Sequence, residues 1–511
     1  MGIIIMFYML GQSYADTTWP VYGANNEHTH LQNIAGAMVS EPVVKWSYQT
    51  DETIEAYGAV VLDIDKDDTM EVVIGGCDYK MYCFNGETGS LKWSYLSGGL
   101  IYTSAVLSDV DLDDTIEVVF GSDDNKIYSL NGINGMIKWS RATGDVVESS
   151  PLAVDIDKNG SIEIVAGSGD GKVYCLNGVD GTVKWSYTTG FMIYSSPAAA
   201  DLDGNDTLEV VFGSMDYNVY CLSGINGILK WSYLTGSGVW SSPSLADVDK
   251  DNNMEVVVGS GDGKVYCLNG VDGTKKWDYA TGDIVTSSAA IADVNNDDTL
   301  EVVIGSWNSR VYCLNGMSGK RKWDYMTGSK IHRGISVADM DVDNKYEVLI
   351  PNNKTDSLTC LNGENGSIMW IKELGEDIHD ITVADIDNDG CVEIVVGTAG
   401  DSTIWALDDI GNQKNCGCMG VEDNAGKKNL DFGFRSVDFK IVKDKIYLSI
   451  PKAIEADIKI YDICGRMQKV LYNGVLSKGE YNFTPEIKGK GIYFITLRAD
   501  GIKKSLKIIR F

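Results

Sequence analysis

One interval, 46 residues, recurs throughout this chain: Asp63, Asp109, Asp155, Asp201, Asp247, Asp293, Asp339 and Asp385 are each separated from the next by it. A second series, Trp46, Trp93, Trp139, Trp185, Trp231, Trp277, Trp323 and Trp370, recurs at 46 or 47. A unit of this size cannot bury its own apolar face, so eight copies must stack on one another or close into a ring. Within one copy, residues 195–233, the text runs Ser-Ser-Pro-Ala-Ala-Ala, an acidic loop, Glu-Val-Val-Phe-Gly-Ser, a turn, Asn-Val-Tyr-Cys-Leu, a Gly turn and Leu-Lys-Trp-Ser-Tyr. These are four short segments rich in β-branched and aromatic residues, bounded by Gly, Asn or Asp and without helical periodicity. Four strands at a period in the forties predict the blade of a β-propeller, here all-β and eight-bladed.

The ends of the array predict how it closes. The last copy has its acidic loop at Asp385 and a third strand near Thr403–Leu407, with no Trp-bearing fourth strand after it. The first Trp-bearing segment, Val43–Tyr48, precedes the first complete copy. It is expected to supply the outer strand of blade 8, which leaves no open sheet edge at the seam. Cys83, Cys175, Cys221, Cys267, Cys313 and Cys360 occupy one repeated position, with Ser129 in the second copy, and read as small buried core residues rather than bonded partners. Cys416 and Cys418 are the two placed to bond or bind something.

Charge divides the chain. The net charge is −30, yet residues 431–511 carry 16 Lys+Arg against 9 Asp+Glu, while residues 1–430 carry 27 against 64. A boundary near 430 follows, and the acidic part excludes nucleic acid and an anionic membrane surface as partners. The division expected is a signal peptide over 1–15, the propeller over 16–408, a linker over 409–430 and a small β-sandwich over 431–511. The signal segment is the apolar run Gly2–Leu10 followed by Ser13-Tyr14-Ala15. No other run is long enough to span a bilayer.

Each blade carries an acidic loop of the form D-x-D-x-D-x-x-x-E. Positions 1, 3, 5 and 9 are Asp63, Asp65, Asp67 and Glu71; Asp109, Asp111, Asp113 and Glu117; Asp155, Asp157, Asn159 and Glu163; Asp201, Asp203, Asn205 and Glu209; Asp247, Asp249, Asp251 and Glu255; Asp293, Asn295, Asp297 and Glu301; Asp339, Asp341, Asp343 and Glu347; Asp385, Asp387, Asp389 and Glu393. Alternate side chains in a tight loop converge, and calcium, a hard ion wanting six to eight oxygens, suits such a set. Position 6 is Asp, Asn or Gly in every copy, the residue types that best tolerate a left-handed turn. The loops read either as structural calcium sites or as polar hairpin turns in which Asp caps its own backbone.

Seven residues before each loop Asp the repeat breaks down into Ala56, Tyr102, Glu148, Tyr194, Trp240, Thr286, His332 and Ile378, with Arg333 and His379 following in the last two copies. These positions fall on the face opposite the acidic loops. Tyr102, Glu148, Tyr194, Trp240, His332, Arg333 and His379 are therefore the candidate ligand surface. The Trp series is structural. No nucleophile, base and orienter triplet stands out, and His28, His30, His332 and His379 lack metal-ligand spacing.

The phrase Val-Tyr-Cys-Leu-Asn-Gly-Val-Asp-Gly-Thr-Val-Lys-Trp ending at Trp185, and the opening Trp19-Pro20-Val21-Tyr22-Gly23 through His28-Thr29, resemble pyrroloquinoline quinone-type propellers. The acidic loop resembles the FG-GAP (VCBS-type) repeat of integrin-type propellers. Ile460-Tyr461-Asp462-Ile463-Cys464-Gly465-Arg466, Gly491-Ile492-Tyr493-Phe494 and the closing Lys504–Ile509 resemble the type IX secretion sorting domain. That resemblance implies passage through a periplasm and delivery to the surface of a Gram-negative-type bacterium, with the secretion machinery as a partner. The function expected is a secreted or surface calcium-binding module, non-enzymatic, for a protein or glycan. The alternatives are a quinoprotein dehydrogenase and a polysaccharide lyase on a calcium propeller. Pyrroloquinoline quinone is not expected, because that family's adjacent Cys-Cys pair is absent.

Overall fold

The computed structural model describes residue 25, residues 28–409 apart from 33–35, 37, 68, 344, 353–354 and 376, and seven strands between 438 and 510. The chain forms two compact units, Met1–Met419 and Gly420–Phe511. The expected signal peptide, the linker beyond Asp409 and Cys416 and Cys418 lie outside the described residues.

Two short segments, β1 (Leu31–Gln32) and β2 (Val43–Gln49), precede the first complete blade, built from β3 (Val60–Leu62), β4 (Glu71–Gly75), β5 (Lys80–Asn85) and β6 (Leu91–Leu96). These four pair in order as one antiparallel sheet. Their burial explains their composition: β4 is buried at every position, whereas β6 is mostly accessible apart from Trp93. A central strand sandwiched between neighbouring blades needs a continuous apolar run, and an outer strand needs apolar residues on one face alone. Seven further sheets repeat the arrangement, making an eight-bladed propeller of four-stranded blades, and the apolar clusters lie between consecutive blades.

The ring closes as the sequence requires. β2 pairs antiparallel with Thr403–Asp408, from Val43 opposite Asp408 to Gln49 opposite Thr403, and so completes blade 8.

The Trp series fastens each blade to the next. Trp46 Nε1 donates to the Gly86 carbonyl at 2.6 Å, Trp93 to Gly132 at 2.6 Å and Trp231 to Gly270 at 2.8 Å, and the pattern continues to Trp323 and Gly363. The glycine three residues further on must be glycine: at Gly273 φ is +72°, and a Cβ there would stand 2.6 Å from the Trp231 ring. At blade 7 the acceptor changes, and Trp370 donates to the carbonyl of Met38.

The path of the N-terminal segment was not legible in the repeat. β1 lies parallel to the innermost strand of blade 7, with Leu31 opposite Val337, making that sheet five-stranded. The Thr29 carbonyl accepts from Ile291 of blade 6, the His30 carbonyl from Val337 of blade 7, and Gln32 Nε2 donates to the Val383 carbonyl of blade 8. The segment thus fills the central channel beside three inner strands, with His28 and His30 buried.

The six repeated cysteines are free and fully buried, and Ser129 is equally buried in the second blade. Cys391, outside that series, is disulfide-bonded. The described strands of the second unit form two antiparallel sheets. One holds Asp438–Val442, Lys445–Ile450 and Gly479–Phe483; the other holds Met467–Leu476, Ile454–Asp462, Gly491–Ala499 and Ile502–Arg510.

Candidate functional site

Each acidic loop folds round its own first aspartate. In blade 5, Asp247 Oδ1 accepts the amide of Asp251 at 3.0 Å and Oδ2 that of Asn252 at 3.0 Å. Asp155 and Asp385 do the same for residues 159–160 and 389–390. Position 6 is left-handed as its residue types require, at Asp114, Gly160, Asp206, Asn252, Asp298 and Gly390. Position 4 is left-handed too, including Leu112 and Val342, whose side chains do not advertise it.

The glutamate at position 9 begins the second strand and is buried in all eight blades. Its Oε2 accepts the amide of loop position 2, as in Ile64 to Glu71 at 2.8 Å and Ile386 to Glu393 at 2.8 Å. This is the physical reason for Glu where an aspartate would be too short to reach. One carboxylate oxygen each of Asp63, Asp65 and Glu71 lie within 4.8 Å of one another, and the corresponding trios of blades 2 to 4 do likewise, so these groups can hold a metal ion.

The structure also places a counter-charge there. The residue before the Trp of the outer strand is a lysine in seven blades. Lys92 Nζ lies 2.6 Å from Asp65 and 2.7 Å from Glu71; Lys184 lies 2.9 Å from Asp157 and 2.7 Å from Glu163. Lys276 reaches Asp249, Asp251 and Glu255 at 2.6, 3.0 and 2.6 Å. Lys138 and Lys230 make the same contacts in their blades, and Lys322, whose position 3 is Asn295, pairs with Asp297 and Glu301 instead. Burial lifts the glutamates above the usual carboxylate range, to about 7 for Glu255, and the lysine opposes that rise. In blade 7 the lysine position is Met369. Burial and the neighbouring aspartates then carry Glu347 to about 8.

On the opposite face a cavity of about 430 Å³ opens between blades 5 and 8. Trp240, Thr286, His332, Arg333, Ile378 and His379 of the symmetry-breaking positions line it; Tyr102, Glu148 and Tyr194 are not among its lining residues. Repeat reading missed Tyr57, Trp307 and Lys330, which also line it. Trp307 was findable: positions 77, 123, 169, 215, 261 and 307 are equivalent, and five hold Cys, Asp, Gly, Met and Gly.

Aromatic and cationic groups interleave in this cavity. Lys330 Nζ sits 4.3 Å from the Trp307 ring centre, His332 packs on the same ring at 4.6 Å, and the Arg333 guanidinium lies 4.2 Å over Tyr57. Trp307 Nε1 donates to Thr286 Oγ1 at 3.0 Å, which fixes the indole. Neither ring nitrogen of His379 has a hydrogen-bond partner, and burial beside Arg333 and His332 lowers its basicity to about 3.

Beneath this cavity the channel is girdled by a serine ring. Ser150 Oγ accepts the Ser104 amide, Ser196 the Ser150 amide and Ser242 the Ser196 amide, one blade to the next. Gly58, Gly334 and Asp380 replace the serine in blades 1, 7 and 8. Asp380 accepts the Gly334 amide on Oδ1, leaves Oδ2 unbonded and is 5% exposed. Burial raises its carboxyl to about 7 against the opposing pull of Arg333. Glu148 is likewise raised to about 7 by burial and by Asp123.

Two family models match parts of the chain: the outer membrane protein assembly factor BamB over residues 66–202, and the lambda-carrageenase beta-propeller domain over residues 237–316. No curated protein matches. Among solved structures, quinohemoprotein alcohol dehydrogenase ADHIIG from Pseudomonas putida HK5 is similar with a TM-score of 0.63 at 11% identity, covering 78% of this chain and 81% of that one. A europium-containing methanol dehydrogenase gives 0.61 at 12%, covering 77% and 98%. BamB from Moraxella catarrhalis gives 0.51 at 14%, covering 72% and 99%. The propeller is of the type these proteins share, and at such identities the likeness is one of fold.

Proposed function

We propose that this chain is an exported, non-enzymatic binding protein that takes an anionic glycan at the channel mouth of blades 5 to 8, on the face opposite its acidic loops. The observation that carries the reading is the clustering of Trp240, Trp307, Lys330, His332 and Arg333 round one cavity of a chain with net charge −30. Indole faces stack on the apolar faces of sugar rings, and a cationic rim selects carboxylate or sulfate substituents. The stretch that matches the carrageenase propeller domain, residues 237–316, contains Trp240, Thr286 and Trp307. Calcium-type cations held in FG-GAP-like loops stiffen the opposite face. The signal segment 1–15 and a type IX-like sorting domain over 431–511 carry the protein through the periplasm to the cell surface.

The test is titration of the full chain with sulfated, uronic and neutral oligosaccharides, read by tryptophan fluorescence and calorimetry. Acidic oligosaccharides should bind, neutral ones at least tenfold more weakly, and Trp240→Ala and Arg333→Gln should each abolish the signal. No discrimination by charge, or binding insensitive to both substitutions, overturns the reading, and capture of a protein ligand alone would replace it.

A second reading, a quinoprotein dehydrogenase, is favoured by the Asp380 carboxyl held near 7 beside Arg333. Its resident quinone would supply the redox chemistry, with Asp380 placed to hold a proton at Oδ2. Dye-linked alcohol oxidation after incubation with the quinone and calcium distinguishes it; a flat trace removes it.

A further inference from the structure

The eight acidic loops are not equivalent in their charge balance, and the difference lies in the outer strand. In blades 1 to 6 a lysine nitrogen sits among the loop carboxylates and contacts the buried glutamate, as Lys92 does with Asp65 and Glu71. The point at which converging oxygens would hold a metal ion is therefore already occupied by a tethered cation. Asp65, Asp111 and Asp157 each keep one unbonded oxygen, but their other oxygen holds that lysine.

Blades 7 and 8 depart from this in different ways. Blade 7 has Met369 in place of the lysine, packed against the apolar core. Asp339, Asp341, Asp343 and Glu347 thus lose the ammonium, and the lysine within the loop, Lys345, pairs at 2.9 Å with Glu364. Blade 8 keeps its lysine but gains a carboxylate: Asp408 stands where blade 1 has Asn85. Lys45 is drawn to Asp387 and Asp408, at 2.6 and 2.8 Å. Glu393 is fully buried, and its Oε1, the oxygen that faces lysine in blades 1 to 6, has no partner. Counting loop positions 1, 3, 5 and 9 with residue 408, carboxylates exceed lysines by four in blades 7 and 8, and by two or three elsewhere.

We propose that the loops of blades 7 and 8 bind a divalent, oxygen-seeking cation of the calcium class and that the lysine-filled loops of blades 1 to 6 exclude it. The inference rests on the reading that these loops take cations at all, and narrows it to two. A cation of charge two answers the excess of four carboxylates over loop lysines: in blade 8 its ligands include the buried Glu393 Oε1 that the diverted lysine leaves unbonded, and in blade 7 Met369 removes the ammonium that contacts the glutamate in blades 1 to 6. In blades 1 to 6 the ion must first displace an ammonium held by two or three carboxylates.

The experiment is equilibrium dialysis and calorimetry of the chelator-stripped full chain with calcium alone. The expected uptake is two equivalents, falling to one in Met369→Lys and to one in Glu393→Gln, and rising to three in Lys276→Met, which unplugs a loop with all four carboxylates. Circular dichroism confirms the fold of each variant, and Met369→Lys installs an ion pair that six blades already tolerate. Any other non-zero wild-type count, or a count unmoved by Met369→Lys, overturns the lysine rule while leaving the loops as cation sites. No uptake by either wild type or Lys276→Met overturns the cation reading as well.

Discussion

Replacing Lys184 by methionine separates the cost of a buried glutamate from every other property of a blade. Lys184 Nζ lies 2.7 Å from Glu163 and 2.9 Å from Asp157; the lysine side chain is 28% exposed and that of Glu163 2%. Breaking a fully buried ion pair by removing one partner costs roughly 3–5 kcal/mol, because the other charge stays desolvated. Partial exposure of the lysine and of Asp157 screens the interaction and brings the expected loss to about 2–3 kcal/mol at pH 7.5. The pH dependence supplies the internal check. Burial raises the Glu163 carboxyl above its ordinary range even with Lys184 in place, and removing the lysine raises it further. A carboxyl raised in the folded state contributes its stability below the unfolded value, near 4.3, and loses it as pH climbs through the folded value. The deficit of Lys184→Met should therefore be full at pH 7.5 and shrink toward zero at pH 4.5. Urea unfolding at both pH values with chelator present measures it. An equal deficit at the two pH values would show that the lysine acts through packing of its alkyl stem, and the electrostatic account of the loop would fall.

Two further consequences follow from the same structure. Burial holds His28 near 3 and His30 near 4, well below the usual histidine value; stability from these neutral rings is present above pH 6.5 and lost below it, by about 2 kcal/mol per ring at pH 5, so His30→Gln should flatten the acid limb of a urea-midpoint profile between pH 7.5 and 5. Trp231→Phe strands the buried Gly270 carbonyl and should cost roughly 1–3 kcal/mol plus the lost ring contacts, whereas Trp370→Phe, whose acceptor is Met38 of the N-terminal segment, should in addition open the chain around Met38 to protease; equal proteolysis of the two variants refutes the tie.

The blade count, the four strands of each blade and the closing of blade 8 by the segment read as Val43–Tyr48 and found as Val43–Gln49 were legible because each rests on a period that the sequence repeats eight times. The left-handed residue at loop position 6 was legible because Asp, Asn and Gly are the residues that accept it, while Leu112 and Val342 at position 4 conceal the same conformation. Lysine in the acidic loop was hidden for another reason. It lies about 20 residues from the carboxylates it meets, on a strand whose alternation marks it as exposed, and the long stem reaches back across the blade. The channel segment was hidden because His28–Gln32 occurs once, and a period has nothing to say about a sequence without copies.

Departures from symmetry concentrate on one side of the ring. The N-terminal segment lies against blades 6, 7 and 8; Met369 and Asp408 alter the loops of blades 7 and 8; Gly334 and Asp380 interrupt the serine ring in those same blades, and Gly58 does so in the adjoining blade 1; and the cavity opens between blades 5 and 8. One physical cause connects the segment, the serine ring and the cavity. A ring of near-identical blades has a channel lined by identical inner strands, which offers a ligand no preferred orientation. Threading a unique segment through that channel breaks the equivalence, because the blades it touches must accommodate it: a Cβ on Gly334 would stand 2.9 Å from the His30 ring and 2.8 Å from Asp380. Gly334 is thus the residue that lets segment, serine ring and cavity meet. Gly334→Ser would restore the repeat and should displace His30 and Asp380 together, so loss of ligand binding and of N-terminal protease protection should appear in the same variant; either one without the other would separate the channel segment from the site above it.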